Sequence, residues 1–374
     1  MRKLERSDAG IDFARLLAEH AKVKGIAEYS EAAINEFGDS VEQSLKATAA
    51  ADHRLRGLRA ESLFLAVVAG IGKVRMIKAE DCGEVFFSGE DIAVPDFRIV
   101  TEDARQILVE VKVQPWEDTF NVQFKMSDRY VQRLRQYAEQ AGAELCFAIF
   151  WEGIGVWTLS RLEAFTPGVA GEQRWSIRYP RAMATSEMAW LGDCTVATRA
   201  PLRFRVLVDP DKSEPMPPGS LGTFKVTLAG VQLLSQDRIL QGLAAQIAWR
   251  LLWYGTWDEV DQESHHDGDT LLWVDHVMGP AGWDEHPPSP DDPVPVGALS
   301  GMISTAYLRG AKKTVHTTAT DGILEPGYMG SFIPSDFAAL KLELPLYLFY
   351  LQANYDFKDS DHSERAQGSS SSEA

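Results

Sequence analysis

Cysteine is scarce in this chain: there are three, Cys82, Cys146 and Cys194, far apart and without a CxxC spacing. Such spacing excludes a disulfide framework and a zinc ribbon, and it fits a reducing, cytoplasmic setting. Long apolar runs are missing too. The charged start, MRKLERSDAG, has no apolar stretch of the kind a secretory leader needs. Leu63 to Ile71 and Leu344 to Leu351 are the longest apolar candidates, well short of the ~20 residues that span a bilayer, so no membrane association is expected. Neither GxGxxG nor GxxxxGK[ST] occurs, which leaves no nucleotide-cradling loop of either type. Positive charge is the last deficit: 37 Lys and Arg stand against 54 Asp and Glu, a net charge of −17. The imbalance is uneven. Residues 1–180 hold 23 basic and 28 acidic residues (23 − 28 = −5), while residues 181–374 hold 14 and 26 (14 − 26 = −12). A local basic groove therefore fits best in the N-terminal half. The acidic C-terminal half is better suited to oligomerisation or to docking a partner protein.

What is present is the material of an ordinary globular protein, with 45% hydrophobic and 24% charged residues over 374 positions, enough for two cores. Apolar residues at three and four spacing predict helices through the first seventy residues, with a break at Gly38 and a capping box from Ser40 to Gln43. From Gly72 the pattern becomes short β-like runs, KVRMIK, GEVFFS, DFRIV and QILVEVKV, followed by an amphipathic helix over MSDRYVQRLRQYAEQAGAE with Gly142 as its C-cap. Tyr130, Leu134, Tyr137 and Ala141 form its apolar stripe, and two more strands, LCFAIFW and GVWTLS, follow. This order predicts an α/β unit of the α+β kind with a mixed sheet. The C-terminal half has mixed signals of its own: strands at FRVLV and TFKVTLAG, a helix over QLLSQDRILQGLAAQIAWRLLWYG, and Pro-rich surface loops at 209–220 and 284–297. The resulting division is an N-terminal helical segment (1–58), an α/β core (59–165), a mixed α/β C-terminal domain (185–357) and a polar, disordered tail (358–374).

The stretch VPDFRIVTEDARQILVEVKVQ is apolar yet carries Asp96, Glu110 and Lys112. Strand side chains alternate, so Leu108, Glu110, Lys112 and Gln114 share one face while Val109, Val111 and Val113 share the other. An edge strand with its polar face in water is the simplest account of such a pattern. A β-hairpin from DFRIV to QILVEVKV would instead bring the Asp96 and Glu110 carboxylates together. Converging carboxylates repel unless a divalent cation lies between them, and hard oxygen ligands suit Mg²⁺ or Mn²⁺. A lysine beside that cation can orient an attacking water and stabilise the charge that grows on a phosphate.

Helix, strands, PD at Pro95–Asp96, EVK at Glu110–Lys112, then helix and strand: this pattern resembles the PD-(D/E)XK nuclease superfamily over residues 59–160. The resemblance implies a restriction endonuclease-like fold, Asp96 and Glu110 as metal ligands with the Val111 carbonyl as a further one, and Lys112 as the catalytic lysine. It also implies accessory roles for Glu61 on the preceding helix, for Gln114 and for Gln136, and contacts from Arg129 and Arg133 to nucleic acid. The implied activity is Mg²⁺-dependent hydrolysis of phosphodiester bonds, with DNA in preference to RNA, in a bacterial defence or restriction setting. The alternative is a catalytically silent relative that binds or scaffolds within a complex, since fold does not fix function. Elsewhere, Glu263, His265, His266, Asp267, Asp269, Asp275 and His276 cluster in ESHHDGDTLLWVDHVMG. They have ligand chemistry but no HExxH spacing, and they read as a solvated turn. Trp249, Trp253 and Trp257, four apart, read as a packed helix face.

Overall fold

The computed structural model describes residues 9–49, 52–80, 85–89, 91–115, 122–168, 174–280, 289, 291–313, 333, 337 and 342–358. Cys82 and all but the first residue of the polar tail lie outside this set. Three helices open the chain: α1 (Ala9–Lys24), α2 (Glu31–Ala49) and α3 (Asp52–Ile71). α2 starts earlier than the Ser40–Gln43 box indicates. Its first turn is capped by Ser30, whose hydroxyl accepts from the Ala33 N–H at 3.2 Å. Gly38 sits inside α2 rather than breaking it. One helical glycine costs about 1 kcal/mol, and packing of α2 on α1 around Leu17, Ala21 and Ala33 offsets that. The boundary drawn at residue 58 falls within α3.

Residues 74–178 supply β1 (Val74–Ala79), β2 (Phe97–Thr101), β3 (Gln106–Gln114), β4 (Gln123–Ser127), α4 (Asp128–Ala141), β5 (Glu144–Trp151), β6 (Val156–Arg161), β7 (Thr166–Pro167) and β8 (Arg174–Arg178). Five of the strands form one sheet in the order β1-β2-β3-β5-β6. β3 and β5 run parallel and the other neighbours antiparallel, so the sheet is mixed, as the sequence predicts. α3 packs on one face of it and α4 on the other. Over the described part of GEVFFS, residues 85–88, the expected strand does not form, and Phe86 is 90% exposed. Aromatic residues favour a strand only where a neighbouring ladder and a buried face receive them, and among the described residues Val85, Phe86 and Phe87 have neither.

Alternation along β3 and β5 sorts the interior. Ile107, Val109 and Val111 join Cys146, Ala148 and Phe150 in the apolar cluster beneath α3. Leu108 joins Leu145, Phe147, Ile149 and Trp151 in the cluster beneath α4, with Val131, Leu134 and Ala138 of that helix. Ser127 and Gly142 cap α4, the glycine at φ +60° in the left-handed conformation expected of a C-cap.

The chain continues through α5 (Tyr179–Ala184), β9 (Thr195–Arg199), β10 (Leu202–Val208), β11 (Leu228–Ser235), β12 (Arg238–Ile239), α6 (Gly242–Tyr254), β13 (Asp258–Asp267), β14 (Thr270–Gly279), β15 (Pro293–Ala298), α7 (Leu299–Lys313) and β16 (Leu346–Phe349). A five-stranded antiparallel sheet has the order β12-β11-β10-β14-β13, and a three-stranded one the order β15-β9-β16. The helix expected over 232–255 is overturned in its first third. There β11 turns into β12 through Gln236 and Asp237, both at positive φ, the conformation a tight hairpin turn requires. The Pro-rich loop at 284–297 ends as strand β15. It lies at a sheet edge with β9 as its neighbour, so Pro293 and Pro295 remove no ladder hydrogen bond on an inner strand. The apolar cluster beneath α3 is continuous with Val196, Leu202, Ile247, Leu251, Val296 and Ile303 from this half. Among the described residues no helix is long and apolar enough to cross a membrane.

Candidate active site

β2 and β3 form the hairpin expected from their spacing, with Phe97 opposite Val109. Asp96 immediately precedes β2; the Val111 N–H donates to its Oδ2 at 2.6 Å, and the Glu110 carboxylate lies close enough to act on its charge. β3 is an interior strand, flanked by β2 and β5, and Glu110 is 2% exposed. A solvent-facing edge strand is therefore not what its charged residues belong to. The Lys112 ammonium bonds Glu110 Oε1, and the Tyr130 hydroxyl donates to the same oxygen at 2.5 Å. The ammonium lies 5.3 Å from the centre of the Tyr130 ring, so ring and carboxylate hold the lysine from two sides. Glu110 Oε2 is buried and has no hydrogen-bond partner among the described residues.

Electrostatics bear on the same spot. Burial first, then the Glu110 carboxylate, push the Asp96 carboxyl from its ordinary 3.8 up to about 7, against the Val111 N–H bond and the Lys112 charge, which favour ionisation. Burial and Glu110 also raise the Tyr130 hydroxyl, which stays protonated as a donor. The Asp96 carboxyl, whose ionisation Glu110 opposes, and the buried Glu110 oxygen that lacks a donor among the described residues form an oxygen-rich set that a divalent cation fits. Mg²⁺ and Mn²⁺ take such hard ligands, and Asp96 and Glu110 would hold them.

Glu61 lies in the middle of α3, and its charge adds to the upward push on Asp96, after burial and Glu110. Gln114 is 9% exposed at the end of β3 and its amide donates to the Pro115 carbonyl. Arg129 is exposed on α4. Arg133 is committed elsewhere: it bonds Asp91 at 2.9 Å and the Ile92 carbonyl at 2.9 Å, bracing the loop before β2 against α4. Gln136 lies one turn beyond Gln132 and is half-buried.

Tyr130, Glu80 and Arg98 escaped the reading of the sequence. Arg98 bonds Glu80 Oε1 through Nε (3.0 Å) and a terminal nitrogen (2.6 Å), and the Tyr137 hydroxyl joins at 2.8 Å. The Arg98 bond is the first cause of the downward shift of the Glu80 carboxyl. The period-two rule that pairs Glu110 with Lys112 also puts Arg98 on the face of Asp96, so that signal was available. Tyr130 and Tyr137 carry no such signal. Both lie on an apolar stripe, and each turns a hydroxyl to a carboxylate.

The His- and Asp-rich segment is not a solvated turn but the hairpin β13–β14. Among the described residues, Glu263, His265 and Asp275 form a group of possible ligands within 4.8 Å of one another. Their carboxylates are already engaged: Arg205 holds Asp275 with two bonds at 2.7 and 2.8 Å, and Arg203 bonds Glu263 at 2.7 Å. Guanidinium charge therefore neutralises this cluster. Trp249 and Trp253 are 42% and 48% exposed and stack on each other, whereas Trp257 is buried, so the three do not make one packed face.

No protein-family model and no curated protein sequence matches the chain. Among solved structures it is similar to Hjc, a Holliday junction resolvase from Archaeoglobus fulgidus, with a TM-score of 0.27 and 16% identity over 37% of this chain and 96% of that one.

Proposed function

We propose that the protein is a metal-dependent nuclease that hydrolyses phosphodiester bonds, with Asp96, Glu110 and Lys112 as its catalytic set. The observation that carries this reading is the approach of Asp96 to Glu110 at the end of the hairpin, with a buried Glu110 oxygen lacking a donor among the described residues and an ammonium on the other oxygen. A bound Mg²⁺ or Mn²⁺ would polarise the phosphate and lower the pKa of a coordinated water. Asp96 and Glu110 would hold the ion, with the Val111 carbonyl as a further ligand. Val111 already contributes its N–H to Asp96 and so fixes that carboxylate's direction. Lys112 would orient the attacking water and meet the negative charge that develops on the phosphate. Tyr130 keeps Glu110 and Lys112 in register. Exposed Arg129 would contact the backbone of the substrate, Gln136 and Gln114 would be accessories, and Arg133 would act through the loop it braces. DNA in preference to RNA, a defence or restriction role, a cytoplasmic setting and a partner or second copy on the acidic C-terminal part complete the proposal.

The test is incubation with labelled DNA and RNA in Mg²⁺, Mn²⁺ or EDTA, beside Asp96→Ala and Lys112→Ala. Metal-dependent cleavage should fall at least about 10²-fold in each variant, the scale of losing a charge-stabilising group. Undiminished cleavage in both variants would sink the proposal. Absence of cleavage on every substrate would leave a binding role.

A further inference from the structure

A second feature stands at the far end of β3, on the opposite face of the sheet from Lys112. Between α3 and α7, beside the β5–β6 turn, lies a cleft of about 510 Å³, within the range of small-ligand sites. Its walls divide by chemistry. Leu63, Phe150 and Leu308 give apolar lining, and of the charged residues that line it Arg56 and Arg59 of α3 outnumber Glu152. The turn and helix that close it meet at two glycines: a Cβ on Gly301 would lie 3.3 Å from the Gly155 carbonyl.

The arginines are the informative part. In a chain with 54 acidic against 37 basic residues, most of the arginines with described contacts are spent on carboxylates: Arg98, Arg133, Arg161, Arg203 and Arg205 all form ion pairs. Arg56 and Arg59 are exposed and form no ion pair among the described residues. Two guanidinium groups without an ion-pair partner among the described residues, beside an apolar wall, make a receptor for a ligand that is anionic at one end and flat and apolar at the other. A nucleotide is such a ligand: its phosphate suits guanidinium donors and its base a hydrophobic wall. A base reaches such a wall only outside a duplex, because a paired base is already stacked on both faces. Its connection to the candidate site is direct, since Val113 lines it, follows Lys112 and precedes Gln114. The Glu152 N–H, on the turn that also lines it, donates to the Gln114 carbonyl.

We infer that this cleft seats an unpaired nucleotide of the bound nucleic acid, so that the substrate class is DNA with a single-stranded end or flap rather than a fully paired duplex. The identity of the ligand rests on the nuclease reading; the geometry of the cleft does not. Arg56 and Arg59 take the phosphate. Leu63, Phe150 and Leu308 receive the base, and the strand passes round the end of β3 to reach Lys112.

The experiment measures binding by fluorescence anisotropy in EDTA, with the full chain and three labelled oligonucleotides: a blunt duplex, the same duplex with a three-nucleotide overhang, and the overhang strand alone. Wild type should bind the overhang at least about tenfold tighter than the blunt duplex, the scale of one base stacking. The double variant R56E/R59E should lose that preference, with a salt dependence shallower by about 1 to 2 counter-ions. Leu308→Trp fills the cleft without changing charge and should lose the preference while keeping the salt dependence. Equal binding of blunt and overhang duplexes by wild type, retention of the preference in both variants, or no binding of any oligonucleotide would overturn the inference. Cleavage is scored separately. Cleavage that depends on Lys112 with no overhang preference removes the cleft proposal alone, and overhang preference without any cleavage removes the nuclease reading alone.

Discussion

Replacing Asp96 by Asn should stabilise the metal-free protein, and by more as the pH rises. The Asp96 carboxyl is raised from 3.8 to about 7 because it is buried and faces Glu110. The folded chain thus holds that proton more tightly than the unfolded chain, and across the interval between the two values the wild type loses stability as pH increases. Above the folded value the loss is complete. Each pH unit crossed in that interval costs about 1.4 kcal/mol, so the loss reaches at most about 4 kcal/mol. Asparagine keeps an oxygen for the Val111 N–H and brings no charge, so the variant escapes this loss. Urea denaturation in EDTA at pH 5 and pH 8 would measure it. The variant's advantage should widen by about 3 kcal/mol between the two pH values, because groups remote from Asp96 titrate in both proteins and cancel. Adding Mn²⁺ at pH 8 should raise the wild-type melting temperature and leave Asp96→Asn nearly unmoved. An Asn variant less stable than wild type at pH 8, or a gap that does not change with pH, would refute the claim that Asp96 and Glu110 strain one another.

Tyr130→Phe removes the hydroxyl that holds Glu110 Oε1; about 1 to 2 kcal/mol of stability should be lost, and metal-dependent cleavage should fall about tenfold. Thermal melts and initial rates check both, and full activity in the Phe variant would deny Tyr130 a positioning role. Asp193→Ala strips the buried carboxylate that accepts from Ser300 N (2.8 Å), Ser300 Oγ (2.6 Å) and Cys194 N (3.0 Å) at the start of α7; a loss of about 2 to 4 kcal/mol in urea titration is expected. Arg205→Ala leaves Asp275 with its main partner gone, and should cost about 3 kcal/mol without altering cleavage. A change in cleavage equal to that of Lys112→Ala would tie the β13–β14 cluster to the chemistry instead.

Much of the sheet was legible because its signals are local. Alternation in QILVEVKV sets which residues share a face, and turn residues at 102–105 set the hairpin, so Asp96 meeting Glu110 follows from short-range rules. The same rules failed where tertiary partners decide. GEVFFS has strand composition but finds no neighbouring strand. QLLSQ has helix-compatible spacing, yet pairing of β11 with β10 and β12 draws it into a sheet. Pro293 and Pro295 look like loop residues until β9 lies beside them as an edge partner.

By itself the sequence determined the charge pattern of β3, the capped helix that follows it and the hairpin that aligns two carboxylates. Each depends on residues close in the chain, where backbone periodicity is fixed. Only the tertiary structure decided which charges stay uncommitted. It brings Tyr130 onto Glu110, ties Arg133 to Asp91 and Ile92, couples Arg205 to Asp275, and puts Arg56 and Arg59 in the lining of a cleft without an ion pair among the described residues. A side chain's hydrogen-bond partner depends on which elements pack together, and packing joins segments that the sequence keeps far apart.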